Sequence, residues 1–505
     1  MNANMNTSRS ANTSADLNAL SRSSLAREQQ EQLDLMMESP VTIVQIGEGN
    51  FLRGFFDWMI HVLRQQGLYN GSIALCQPRP SGRAKLAKLR DQHGIYNLVT
   101  RGFEHGEQVE RRDTIAVFSK LIDPYTGWDA FLALGEEPQL QVVVSNTTEA
   151  GLVYTPEAYE DGKPVLSYPG KLTLLLYRRY EKFGGEPEKG LLLLPCELLE
   201  GNGDLLRECV LRYAQDWGLP EEFLAWVSKH NRFLNTLVDR IVTGYPEREA
   251  DDWFAEWGYS DAALVTAEPY HLFAIEGKPE LDHLLPLAKA GLEVKWVPDL
   301  TPYRLRKVRL LNGAHTLMTP LSILRGLTHV REVMEHEELG SFVRRTVRDE
   351  IIPAVPLPAK EELLSYAESV LERFLNPFIE HKLEAIAMNS VSKFKARLLP
   401  SLLHDPSRHG LVLGFAALLR YYKASADADG RYWGRTFEGS TYELKDDRAA
   451  LEALAVCWSR SAAGSPEELA ESMLALREVW GEDLSKVRGL AESVAAAWSE
   501  IGALR

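Results

Sequence analysis

The run Val41-Thr42-Ile43-Val44-Gln45-Ile46 passes directly into Gly47-Glu48-Gly49 and then into a helix-compatible stretch from Phe51, and this junction constrains the fold more than any other part of the chain. Six residues rich in β-branched side chains, a glycine turn and an amphipathic pattern make the first half of a βα unit. Further short apolar runs follow at Ser72 to Cys76, Gln141 to Val144 and Leu191 to Leu194, with helical patterns over Phe51 to Gln66 and Asp204 to Gly218. That alternation predicts an α/β fold with a parallel sheet covered by helices.

The alternation stops near Asp299. Beyond it lie long amphipathic segments, Glu337 to Ile352, Lys360 to Phe374, Leu411 to Ala424, Asp446 to Ser461 and Pro466 to Trp480, so the last two-fifths of the chain reads as mostly α-helical. A chain of 505 residues exceeds what one core accommodates. The expected division is therefore an α/β domain over 39–298 and a helical domain over 299–505. Residues 1–38 begin rich in Asn, Ser and Ala, turn Gln/Glu/Leu-rich and lack the apolar core of a secretory signal; they read as a disordered tail leading into a short helix. The stretch Ser425 to Tyr432, with Gly430 inside it, reads as an exposed loop.

Composition narrows the function classes. A formal net charge of −15 with no long Lys/Arg cluster argues against nucleic acid as a partner. The apolar stretches fall well short of the ~20 residues a membrane span needs, and a cytoplasmic protein without a membrane partner is expected. Cys76, Cys196, Cys209 and Cys457 lack ligand or disulfide spacing, so they read as reduced core thiols, and no metal-ligand set is recognisable. The sequence sets no oligomeric state.

The glycine turn is the first chemical candidate. Gly47 suits a tight turn, Gly49 lets backbone N–H groups approach a pyrophosphate, and a helix follows. Ile46, Gly47, Glu48, Gly49, Asn50, Phe51 and Leu52 are the candidate contacts to a dinucleotide, on a Rossmann-type domain. Leu52 stands where the usual third glycine would be, and an ordinary strand-to-helix turn is the competing reading. The second strand ends in Gln77-Pro78-Arg79-Pro80 without an acid. Gln77 suits a ribose, whereas Arg79 or Arg83 suits a 2′-phosphate, so these residues leave NAD and NADP both open. Val142-Val143-Val144 ends in Ser145-Asn146-Thr147-Thr148-Glu149, which places Asn146, Thr147 and Glu149 to meet a nicotinamide or substrate; an Asx-type turn is the alternative.

The second candidate is Lys307-Val308-Arg309-Leu310-Leu311-Asn312-Gly313-Ala314-His315. Thr301-Pro302 supplies an N-cap and a first-turn proline, so a helix is expected to open there and run through this segment. At roughly 100° per residue, Lys307, Asn312 and His315 share an arc of about 140°. A lysine there suits general acid/base work, and Asn and His suit donation to an oxygen that gains negative charge. Gly313 costs about 1 kcal/mol in a helix and implies close approach of substrate or another chain segment. Asn235, in a mainly apolar segment, is a further site candidate.

Taken together, these residues resemble the mannitol dehydrogenase family of long-chain, metal-independent polyol and sugar-acid dehydrogenases. Lys307, Asn312 and His315 match its Lys, Asn five on and His eight on. Similar stretches are Gln45 to Arg53 (QIGEGNFLR), Ser145 to Gly151 (SNTTEAG), Pro195 to Leu198 (PCEL), Thr236 to Pro246 (TLVDRIVTGYP) and Leu311 to Thr316 (LNGAHT). The resemblance implies a Rossmann domain binding NAD, a helical C-terminal domain and a site between them. It implies Lys307 as acid/base, Asn312 and His315 polarising the carbonyl, and Asn235 touching substrate. It further implies interconversion of D-tagaturonate and D-altronate in hexuronate catabolism, with a small sugar acid as partner. Reduction of fructuronate, oxidation of a neutral polyol such as mannitol, and a non-catalytic dinucleotide-binding regulator are the alternatives. One departure is Arg304, where the polyol branch carries Glu; Arg304 or Arg373 is the expected contact for a substrate carboxylate.

Overall fold

The computed structural model describes residues 17–460 and 464–502. The chain divides into two compact units between Leu300 and Thr301.

The first unit is built on six parallel strands, β1 (Val41–Ile46), β2 (Ser72–Cys76), β3 (Phe118–Ile122), β4 (Val142–Ser145), β5 (Leu192–Pro195) and β6 (Arg232–Phe233). Their order in the sheet is β3-β2-β1-β4-β5-β6, the doubly wound Rossmann order. Because side chains alternate across a strand, Val143 and Leu193 enter one core while Val142, Val144, Leu192 and Leu194 enter the other. The register aligns Ile46 with Cys76 on one side and Ser145 on the other, so β1, β2 and β4 end at one level. Strand order reverses between β1 and β4, and ligands of such sheets bind in the crevice that opens there.

The helix expected over Phe51 to Gln66 is broken. It forms as Asn50–Arg53 and Phe56–Gln65, separated at Gly54 and Phe55. The carbonyls of Arg53 and Gly54 accept from the Tyr96 hydroxyl at 2.8 Å and Arg240 Nη1 at 2.8 Å. A Cβ on Gly54 would lie 2.8 Å from Val242 Cγ1, so the chain crosses too closely for a side chain. A long hairpin, Ile95–Glu104 with Glu107–Ala116, is inserted between β2 and β3 and carries a second sheet; the sequence reading did not anticipate it.

Within the stretch read as a tail, residues 1–16 lie outside the described residues, but the remainder is packed. Arg27–Met37 is a helix, Leu20 N–H donates to Ser260 O at 2.7 Å, and Leu20, Leu25, Leu33 and Met36 are buried against Ile95 and Tyr259. Leucines and a methionine at helical spacing, diluted by Gln and Glu, supply that apolar face.

In the second unit, Thr301–Arg306, a π-turn at Lys307–Leu311 and Asn312–Leu324 form one continuous helical rod. From Gly313 onward it is buried, packed against His409–Tyr421, which is buried from Gly410 to Tyr421. A Cβ on Gly414 would sit 2.4 Å from Leu317 Cδ1, so glycine permits the crossing. The Trp498 indole N–H donates to Ala416 O at 2.9 Å and fastens the last helix, Leu490–Glu500, to this pair. The loop expected over Ser425 to Tyr432 forms over 427–431, and its ends belong to a small antiparallel sheet that was not expected, Ala424–Ala426, Tyr432–Arg435 and Thr441–Leu444. Asp427 closes its turn by accepting from Asp429 N, Arg431 N and Trp433 Nε1. Strands of three or four residues are too short for periodicity to announce them. Among the described residues, no helix is long and apolar enough to cross a membrane, and no group of three or more His, Cys, Asp or Glu is placed to hold a metal ion.

Candidate active site

At the end of β1, Gly47 adopts φ +128°, and a Cβ there would lie 2.7 Å from the Asn146 carbonyl oxygen. Only glycine fits this approach of β1 to β4. Gly47 N–H donates to Cys76 O at 2.9 Å and Asn146 N–H to Ile46 O at 3.1 Å, so the three strand ends are laced together. Gly49 has open space where a side chain would be, which leaves the backbone above the turn approachable. Leu52 is buried in the core, so its contribution to a ligand is confined to its backbone. Phe51 stacks on Phe55 with centroids 5.0 Å apart, and Asn50 Oδ1 accepts from Arg53 Nη2 at 2.7 Å.

Beneath the turn lies a buried polar layer that sequence reasoning missed. Gln45 Nε2 donates to Gly47 O at 3.1 Å and to Asp57 Oδ2 at 3.4 Å, and Tyr96 Oη donates to Asp57 at 3.3 Å. Burial pushes the Asp57 carboxyl up to about 8, against the opposing pull of Gln45, Arg53 and Tyr96. The β4 end has its own support: Glu197 accepts from Thr147 N at 2.9 Å, Thr147 Oγ1 at 3.0 Å and Ser145 Oγ at 3.1 Å. Burial raises the Glu197 carboxyl too, with those hydrogen bonds opposing. Asn146 donates through Nδ2 to Cys196 O at 2.7 Å. Its amide therefore orients the strand end, whereas Glu149 is exposed in the following turn.

Gln77 Nε2 donates to Asp123 Oδ1 at 2.8 Å, and Arg83 Nε meets Asp123 Oδ2 at 3.2 Å. An acid does serve the end of β2, but it arrives from the end of β3, seventy-odd positions past the glycine turn, where no local motif reveals it. Arg79 donates to Thr147 O at 3.3 Å and Thr148 Oγ1 at 3.4 Å. Among the described residues, Glu48 Oε2 and Gln77 Oε1 are buried without a hydrogen-bond partner beside these strand ends. Open backbone at Gly49 and orphaned acceptors suited to hydroxyls fit a dinucleotide. Asn235, also on the first unit, is committed to the protein: Oδ1 accepts from Gly203 N at 3.0 Å and Asp204 N at 3.1 Å, and Nδ2 donates to Asp204 at 2.9 Å and Glu276 at 3.3 Å.

On the second unit the π-turn changes the geometry expected of a regular helix. The Asn312 N–H donates to Lys307 O, five residues back. That wider turn carries Asn312 nearer to lying above Lys307 than the α-helical arc of about 140° allows. Lys307 and Asn312 are half-buried, and among the described residues the Asn312 side-chain amide has no hydrogen-bond partner. His315 is buried, its ring 4.3 Å from that of Phe374 and 4.5 Å from that of His381. Burial, then the charges of His381, Arg397, Arg373 and Lys393, hold its pKa well below the ordinary histidine value, so the ring is neutral. Among the described residues its Nε2 is buried without a partner. In the tautomer that carries the proton on Nε2, the neutral ring can donate from there to a ligand oxygen.

Gly313 does mark a close approach: a Cβ there would lie 3.2 Å from Leu398 Cδ2. The approaching segment, Ser390–Arg397, brings Arg397, which sequence reasoning also missed. Arg373 is buried near His315, Arg304 is half-buried on Thr301–Arg306, and both make contacts within the protein.

Residues 41–289 match the mannitol dehydrogenase Rossmann domain and residues 299–502 the mannitol dehydrogenase C-terminal domain. The chain belongs to the mannitol dehydrogenase family. Within it, the chain is 44% identical over 464 residues to an altronate oxidoreductase of Halalkalibacterium halodurans, covering 90% of each chain. It is 42% identical to one from Bacillus subtilis, covering 93% of this chain and 94% of that one. Among solved structures it resembles a D-sorbitol dehydrogenase in substrate-free form (TM-score 0.75, 22% identity, 93% and 95% covered). It also resembles a Pseudomonas fluorescens mannitol 2-dehydrogenase in ternary complex with NAD and D-mannitol (TM-score 0.64, 22% identity, 92% and 93% covered). As a family member it is an oxidoreductase acting on a CH–OH group, with a dinucleotide-binding first unit.

Proposed function

We propose that this family member is an NAD-dependent oxidoreductase that interconverts D-tagaturonate and D-altronate in hexuronate catabolism. The observation that supports the substrate is the 41–44% identity, across both units, to relatives named altronate oxidoreductase. When bound, the coenzyme supplies or accepts the hydride.

Lys307 is the proton carrier: in reduction its ammonium gives a proton to the carbonyl oxygen as the carbon receives hydride, and in oxidation its amine takes the proton back. Asn312 and His315 donate hydrogen bonds to that oxygen while negative charge develops on it. Their value lies in being already aimed and unengaged, so no reorganisation is needed at the moment of reaction. The π-turn supports this reading by bringing Asn312 closer to the face of the helix that carries Lys307. Neutral His315 donates without competing with Lys307 for the proton.

Ile46, Gly47, Glu48, Gly49, Asn50, Phe51 and Leu52, with Asn146 and Thr147, form the coenzyme side, held by Gln45 and Glu197. Asp123 supports NAD over NADP: its carboxylate engages Arg83 and would face a 2′-phosphate with like charge. Asn235 acts at one remove by fixing Gly203 and Asp204 at a helix start. Oxidation of NADH and NADPH, measured with D-tagaturonate, D-fructuronate and D-fructose, tests the reading. NADH with D-tagaturonate should give the highest kcat/KM by at least tenfold; a preference for fructose, or for NADPH, contradicts it.

A further inference from the structure

Arg397 holds a position that nothing so far has explained. The segment Ser390–Arg397 and the following Leu398 lie against the catalytic helix at Gly313, with the Arg397 carbonyl 3.9 Å from where a Gly313 Cβ would be. The Arg397 Nη1 donates to Thr316 Oγ1 at 3.1 Å and to Asn312 O at 3.4 Å. One partner is a proposed catalytic residue, and the other is the neighbour of His315. Among the described residues, Nε and Nη2 have no protein acceptor and no carboxylate pairs with the guanidinium, although the side chain is half-buried.

Other arginines of this unit are engaged differently. Arg309 donates to Ser401 Oγ at 2.9 Å, Arg306 lies over the rings of Tyr303 and Tyr366, and Arg325 and Arg408 pair with Glu338 and Asp405. The charged neighbours that act on His315 are likewise all basic, in a chain whose net charge is −15. A partly desolvated guanidinium such as that of Arg397, with no carboxylate paired to it among the described residues, is costly unless a ligand supplies the anion.

We propose that Arg397 is the carboxylate-recognition residue of this active site, and that it selects a keto sugar acid over a neutral ketose. The proposal rests on the oxidoreductase reading above. Thr316 and the Asn312 carbonyl fix the plane of the guanidinium, leaving Nε–H and Nη2–H as a fork for two carboxylate oxygens. A substrate ending in a hydroxymethyl group would leave that fork unpaired, which is how a site rejects an analogue lacking the recognised group. Arg373 adds positive potential from its buried position.

The test compares wild type, Arg397→Met and Arg397→Lys in NADH-dependent reduction of D-tagaturonate and of D-tagatose, its neutral counterpart. Loss of a desolvated charge pair should lower kcat/KM for D-tagaturonate roughly 100-fold in Arg397→Met, mainly through KM. D-tagatose should change by less than about threefold, NADH affinity should hold, and Arg397→Lys should recover roughly tenfold as a charge without the fork. Equal losses on acid and ketose, or an unchanged KM for the acid, overturn the assignment. Should Arg397→Met fail to fold, Arg397→Lys decides: wild-type KM for the acid overturns the proposal, and a raised KM with the ketose unaffected supports it. A wild type that reduces another keto sugar acid but not D-tagaturonate refutes the substrate reading alone, and the same comparison then runs on that acid.

Discussion

The polar groups at the strand ends of the first unit and those on the Lys307 to His315 helix of the second differ in how far the protein itself engages them. Around the glycine turn, Gln45, Asn146, Thr147, Glu197, Gln77 and Asp123 each hydrogen-bond to one another or to backbone, while the acceptors Glu48 Oε2 and Gln77 Oε1 are left without a partner among the described residues. On the helix, among the described residues, the Asn312 amide and His315 Nε2 have no such partner, and Arg397, which lies against it, has no protein acceptor at Nε or Nη2. The difference separates two tasks. A coenzyme platform must hold backbone shape, so most of its side chains are tied down and a few acceptors are left for hydroxyls of the ligand; a reacting oxygen must be met by donors that nothing else has claimed.

The sharpest way to break this contrast is at Asn312. Asn312→Ala removes a donor with no structural partner, so kcat should fall roughly 10²–10³-fold with thermal stability nearly unchanged. Steady-state kinetics and a melting curve check it; a large loss of stability would mean that the amide is structural after all. The counterpart on the first unit is Gly47→Ala. A Cβ 2.7 Å from the Asn146 carbonyl, at φ +128°, forces the strand ends apart. NADH affinity should fall about tenfold and stability by roughly 1–3 kcal/mol, measured by fluorescence titration and denaturant unfolding.

The smallest effect concerns the layer beneath the turn. The Asp57 carboxyl rises from its ordinary 3.8 to about 8, so the folded state binds that proton more tightly than the unfolded chain does. The stabilisation is therefore complete below pH ~4 and is lost as pH rises toward 8. Asp57→Asn removes this dependence. The melting temperature of wild type relative to Asp57→Asn should drop by roughly a few degrees between pH 5 and pH 9; parallel curves would show that Asp57 does not titrate in the fold.

What could be read in advance divides along the same line. β1, β2 and the Lys307 to His315 segment were legible because each is a local pattern: a β-branched run, a glycine turn, a polar trio at helical spacing. The break at Gly54 was not, because its cause is remote, in Tyr96, Arg240 and Val242. Glu197 and Asp123 are single acids whose purpose appears only when neighbouring strands bring them to the glycine turn. The signal for Glu197 was present in its place just past a strand end, where ligand-facing residues of such sheets gather. Arg397 sits in Ser390-Val391-Ser392-Lys393-Phe394-Lys395-Ala396-Arg397, which reads as an ordinary basic surface helix until Gly313 draws it to the catalytic helix. The π-turn was invisible because it follows from backbone register rather than from composition.

The central claim is that coenzyme binding and proton chemistry are separable, with Lys307 carrying the second. Single-turnover reduction of D-tagaturonate by Lys307→Ala preloaded with NADH tests it most directly. The rate should fall by roughly 10²–10⁴ with NADH affinity within about twofold of wild type. A variant that turns over at the wild-type rate, or that loses NADH binding while remaining folded, contradicts it.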